Sequence, residues 1–140
     1  MADPHKRYRK FNTKVTYPEQ NLDNDLCHLV ATRPGTTLYF RGACPQDIDS
    51  AVNLGSHDPA EQTHKVMQNI KELLEEAGGR MEHLVKLVVY LTDVRHREAV
   101  YRTMGEYIKG VHPVCTGLTV VALARPDWLV EIDATAVIPD

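Results

Sequence analysis

Cysteine is scarce: the 140-residue chain has three, Cys27, Cys44 and Cys115. They are odd in number, far apart and form no C-x-x-C, which argues against a disulfide framework and fits a reducing compartment. The 7 histidines form no H-x-x-x-H or H-E-x-x-H pair, so the spacing points to no metal site. No apolar run reaches the ~18 residues of a membrane span, and no membrane partner is expected. The basic N-terminus lacks the apolar stretch of a signal peptide, so the cytoplasm is the expected location. An excess of one charge is also missing. The 16 basic and 19 acidic residues are interspersed and leave a net charge of −3. A nucleic-acid partner needs a clustered positive field, and none is expected here. The one basic cluster, His5-Lys6-Arg7-Tyr8-Arg9-Lys10, is expected to be a solvated, frayed terminus. Internal repeats and low-complexity linkers are absent too.

What is present is globular: apolar residues make up 43% and charged residues 25%, on a length that suits one domain over residues 1–140. Strand candidates lie at 26–32, 36–41, 84–92, 116–123 and 129–138, where β-branched and apolar residues concentrate. Arg33-Pro34-Gly35 and Arg125-Pro126-Asp127 are turns. Residues 42–57 are polar and irregular, hence a loop. The clearest helix starts at Asp58, an N-cap followed by Pro59, with Glu61 completing a capping-box pattern. Val66, Met67, Ile70, Leu73, Leu74 and Ala77 then form one apolar face, and Gly78-Gly79 ends the helix. A second helix is expected over 96–109, with Ala99, Val100, Met104, Tyr107 and Ile108 on one side.

The order β-β-α-β-α-β-β puts two helices on one face of a mixed sheet, an α+β fold. Alternation in the last strand sends Val130, Ile132, Ala134, Ala136 and Ile138 toward the helices. Leu129, Glu131, Asp133, Thr135 and Val137 point the other way. That second face is mixed, and a mixed face meets water or another subunit. The apolar stripes at 84–92 and 116–123 favour an oligomer.

Several motifs carry a resemblance: Asp58-Pro59 through Gly78, the stretch from His83 to Asp93 (HLVKLVVYLTD), His112-Pro113, and Leu129-Val130-Glu131-Ile132-Asp133-Ala134. In this order and spacing they resemble the Rid family (YjgF/YER057c/UK114) over about residues 37–138; residues 1–20 match poorly. The resemblance implies a chorismate-mutase-like fold, a homotrimer and clefts between subunits. Many members hydrolyse imines or enamines derived from amino acids to ketoacids and ammonia, with no metal and no bound cofactor. Deaminating members carry a carboxylate-gripping arginine two residues after the proline matched by Pro113. Here that position is Cys115, and two residues on stands Gly117. A helix asparagine of those members is matched by Tyr101, and their Ser-Gly pair by Arg41-Gly42. The glutamate near the C-terminus is kept as Glu131. The chain thus resembles a branch that lacks the arginine.

The candidate site follows. Glu131 would orient or deprotonate a water attacking a C=N carbon. Arg41 would replace the missing arginine and hold an anionic group as a planar fork. Gly42 would offer its backbone N–H, and Tyr101 a pocket hydroxyl. Cys115 would attack or line the pocket, with His112 as a base for the thiol; packing in the core is its other reading. The expected activity is a hydrolase acting on C=N or C–N bonds of small, anionic, nitrogen-containing acids. The alternative is a trimeric module that binds a small acid or a protein without turnover.

Overall fold

The computed structural model describes residues 4–140. The elements run β1 (Lys6–Tyr8), β2 (Phe11–Asn12), α1 (Thr13–Thr16), β3 (Asp25–Leu26), β4 (Leu29–Ala31), β5 (Gly35–Tyr39), α2 (Pro59–Glu76), β6 (Leu84–Leu91), α3 (Arg97–Tyr107), β7 (Val114–Thr119) and β8 (Val130–Pro139). The main sheet has the order β5-β8-β6-β7; only β6 and β7 are parallel. α2 and α3 cover one face, as the pattern predicts, and bury Val66, Met67, Ile70, Leu74, Val100, Met104 and Ile108 against Leu87, Val89, Val130, Ile132, Ala134 and Ala136.

Local chemistry sets the helix ends. The Asp58 side chain accepts the Ala60 N–H as N-cap, and Gly78 takes a left-handed φ of 87° past the C-terminus, where glycine is favoured. The capping box is built differently from expectation. Ser56 Oγ accepts the Asp58 N–H at 3.1 Å and donates to Glu61, so the serine stands between the two groups of the usual box.

The N-terminal third departs most from the sequence reading. The single strand expected at 26–32 is two short strands, because Cys27 and His28 break the run. The Cys27 N–H donates to the Pro113 carbonyl and the His28 N–H to the Tyr8 carbonyl. β3 pairs with β2 and β4 with β1, apart from the main sheet. The basic cluster is not a frayed terminus. Residues 6–8 form β1, and His5 and Arg7 are buried. His5 Nε2 donates to the Val137 carbonyl at 2.8 Å while its Nδ1 accepts the Arg33 N–H at 3.0 Å. Arg7 donates to the carbonyls of His112 and Glu82, each at 3.0 Å. These bonds tie the N-terminal ribbon to backbone carbonyls far along the chain.

The expected buried strand at 116–123 is also corrected. β7 spans Val114–Thr119, with the Val120 N–H still donating to the Leu91 carbonyl at 2.7 Å, and residues 116–119 are exposed in the single chain. Its place at the sheet edge leaves one side without a paired strand.

Candidate functional site

The β6–β8 register assigns each site residue to a face. Leu87 opposes Ala134 and Val89 opposes Ile132 on the helix side; Val88 opposes Asp133 and Tyr90 opposes Glu131 on the open side. In the parallel pair, Cys115 lies beside Leu87 and Gly117 beside Val89. Glu131 and Cys115 therefore sit on opposite faces of one sheet. The expected residues gather into two clusters.

The first cluster surrounds Glu131. After β5 the chain continues along β8, where Ala43 bridges Ile132 with reciprocal backbone bonds of 2.8 and 3.1 Å. This register brings Gly42 and Cys44 to the side of the strand that carries Glu131. A Cβ on Gly42 would press on Glu131 Oε2, so in this rotamer the carboxylate rests in the space that the glycine leaves. The Cys44 thiol donates to Glu131 Oε1 at 3.2 Å. Burial, the hydrogen bond and the negative charge of Glu131 push this thiol up to about 12. It stays protonated, and a donor, across the physiological range. Asn69 on α2 fastens the segment by donating to the carbonyls of Cys44 and Gln46 at 3.2 and 2.8 Å. Arg41 is exposed and lines a cavity of about 130 Å³ together with Gly42, Cys44, Asn69 and Leu73. Its charge acts on Cys44 rather than on Cys115.

The second cluster lies between α3 and β7. Tyr101 is 3% exposed, and a Cβ on Gly117 would fall 1.8 Å from its hydroxyl oxygen, so the phenol occupies the space that Gly117 leaves. The Cys115 thiol is 3.9 Å from that oxygen. Burial pushes Cys115 up to about 11, against the lowering effect of Tyr101 and Arg97, so little thiolate exists at neutral pH. Burial likewise raises Tyr101, which keeps its phenolic proton. The Arg97 guanidinium stacks 4.4 Å from the Tyr101 ring centre. His112 does not act on the thiol: its Nε2 lies 3.9 Å from Asp25 Oδ1 and its carbonyl takes the Arg7 bond. The left-handed backbone of His112, with φ 57°, belongs to the turn before β7.

The family profile described as Endoribonuclease L-PSP matches residues 26–138. The chain belongs to this family, the Rid/YjgF family. A RutC family protein of Pyrococcus abyssi is 32% identical over 106 residues, covering 76% of this chain and 82% of the relative. Among solved structures, the Rid family protein YyfB of Yersinia pestis superposes with a TM-score of 0.76 at 27% identity, covering 96% of this chain and 99% of that one. RidA of an Antarctic Psychrobacter gives a TM-score of 0.66 at 25% identity, covering 85% and 95%. The mixed sheet with two main helices is the fold of these neighbours.

Within this Rid chain, sequence reasoning missed two residues that the geometry brings forward. Cys44 touches Glu131, and the signal was its place two residues after Gly42, on the same face of an extended segment. Arg97 stacks on Tyr101, and the signal was the i, i+4 spacing of the two on one helix.

Proposed function

We propose that the chain is a hydrolase of C=N or C–N bonds in small nitrogen-containing acids, working as a homotrimer with its sites in clefts between subunits. The observation that carries this reading is the Glu131 carboxylate, seated against the Gly42 backbone and anchored through one oxygen by the Cys44 thiol. A carboxylate fixed in this way is suited to orient a water and take its proton as the water attacks a C=N carbon. The Gly42 N–H and Arg41 border the same place, as donor and as cation. Tyr101 supplies a hydroxyl from the second cluster, and Cys115 lines the pocket; its raised pKa argues against attack by the thiol. The two clusters lie on opposite faces of one sheet, so a cleft that joins them takes Glu131 from one subunit and the β7 edge from the next.

Exposed apolar side chains support assembly. Tyr39 on β5 and Leu118 on β7 are 84% and 41% exposed in the single chain. Their strands are the two edges of the sheet. Covering such edges is a common answer to unpaired strands.

The endoribonuclease of the family description is a weaker reading for this chain. Phosphate recognition needs clustered cations, and β8 presents Glu131 and Asp133 to the open face instead. A binding module without turnover is favoured by one observation, the cysteine at the position where deaminating members carry arginine. The deciding experiment follows ammonia release from imines generated in situ from small amino acids, beside cleavage of a single-stranded RNA. The expected result is Glu131-dependent ammonia release, falling at least about 100-fold in Glu131→Gln, with intact RNA. Ammonia release that ignores Glu131→Gln overturns the assignment of the glutamate, and binding without any release favours the module.

A further inference from the structure

Glu131 leaves β8 on the open face, and its two carboxylate oxygens have different surroundings. Oε1 accepts the Cys44 thiol at 3.2 Å. Oε2 rests in the space left by Gly42 and accepts no hydrogen bond among the described residues. The thiol has one proton, and its sulfur also lies 3.5 Å from the Gly42 carbonyl. The carboxylate is the nearer acceptor and the charged one, so the proton goes to Glu131. Burial, the bond itself and the negative charge keep that proton on sulfur. The thiol is in turn held from α2. Asn69, 4% exposed, donates from Nδ2 to the carbonyls of Cys44 and Gln46 at 3.2 and 2.8 Å. Both amide hydrogens go to the backbone that carries Cys44. Its Oδ1 is buried and meets no donor among the described residues. Such an orphaned acceptor costs stability, and native chains keep few of them. On the other side, the bridge between Ala43 and Ile132 ties the same segment to β8, one residue from Glu131. A glutamate on a sheet surface ordinarily swings among rotamers. Here a helix on one face of the sheet holds the thiol that holds the carboxylate.

We propose that Cys44, fixed by Asn69, is a positioning residue that makes Oε2 the oxygen of Glu131 that takes the proton of the attacking water. The thiol occupies Oε1 and sets the plane of the carboxylate, which leaves Oε2 free over Gly42. Water loses one proton to Oε2 as its oxygen bonds to the C=N carbon. The C=N electron pair moves to nitrogen, and the carboxylic acid returns the proton there. Neither Cys44 nor Asn69 takes part in the transfer; both act through Glu131. This inference rests on the proposed hydrolase and adds the residues that orient its glutamate.

The test has a spectroscopic arm and a kinetic arm, both on the full-length chain. The S–H stretching band of Cys44 is read by infrared in a Cys27→Ala, Cys115→Ala background, where it is the one thiol left. A thiol that donates to a carboxylate absorbs at lower frequency than a free one. The band should therefore rise in Glu131→Gln and in Asn69→Leu. Ammonia release from an imine is read in the otherwise wild-type chain. Cys44→Val keeps the bulk and loses the donor. It should lower kcat on the order of tenfold to 100-fold with KM little changed, since a displaced reacting group costs that much. Cys44→Ser keeps an O–H donor and should retain most of kcat. Asn69→Leu should fall with Cys44→Val, and the double variant no further than either. Urea midpoints of all variants are compared. Equal kcat in Cys44→Ser and Cys44→Val, a kcat that follows the urea midpoint rather than the donor, or a band unmoved in Glu131→Gln overturns the inference. Where Asn69→Leu does not fold, the two Cys44 variants and the Glu131→Gln band still decide it. Ammonia release that needs Glu131 but not a donor at residue 44 overturns this inference alone. A wild-type chain that releases no ammonia overturns the hydrolase reading and this inference together.

Discussion

At the scale of single residues, Cys44 and Cys115 are held as protonated thiols. Cys44 is held up to about 12 by burial first, then by its hydrogen bond to Glu131 and the charge of that carboxylate. Removing the charge should lower the thiol pKa, because the thiolate no longer forms beside an anion. Burial remains, so the value should stay above that of an exposed cysteine. In a Cys27→Ala, Cys115→Ala background, thiolate absorbance followed against pH should therefore shift to lower pH in Glu131→Gln. An unchanged curve would contradict the contact. Glu131 and Gly42 were singled out by motif and position, and the structure brings the two into contact. Cys44 was not, since its role depends on a strand bridge between Ala43 and Ile132 that joins residues far apart in sequence. Cys115, read from the sequence as a pocket residue or as core packing, sits on β7 with its thiol toward the Tyr101 hydroxyl. The base expected for it was not found, because His112 turns to Asp25.

At the scale of elements, the strongly periodic segments were legible and the short ones were not. α2 and β6 carry enough apolar positions at one period to declare themselves, and their ends agree with the sequence within one residue at either end. β1 and β4 are three residues each, and the expectation of a solvated terminus fails there for a physical reason. Their order comes from contacts that span the chain, with Arg7 reaching carbonyls 75 and 105 residues away. Composition cannot report such partners. Arg7→Ala should remove both bonds and leave two carbonyls short of a donor. The expected loss is about 2–4 kcal/mol, from charged hydrogen bonds worth roughly 1.5–3 kcal/mol each, with partial replacement by water. Urea denaturation measures it. A loss below about 0.5 kcal/mol would mean that the N-terminal ribbon contributes nothing to the fold.

At the scale of the whole molecule, the two clusters lie on opposite faces of one sheet, so the proposed site needs two chains. Sedimentation equilibrium at micromolar concentration should give a trimer; a stable monomer would remove the cleft. The most direct measurement is subunit mixing. Glu131→Gln and Tyr101→Phe chains, each weakly active alone, are unfolded together, refolded as mixed trimers and assayed for ammonia release from an imine. The account predicts recovered activity, because some clefts then combine an intact Glu131 from one chain with an intact Tyr101 from its neighbour. Mixed trimers no more active than the separate variants would contradict it and place both groups in a site within one chain.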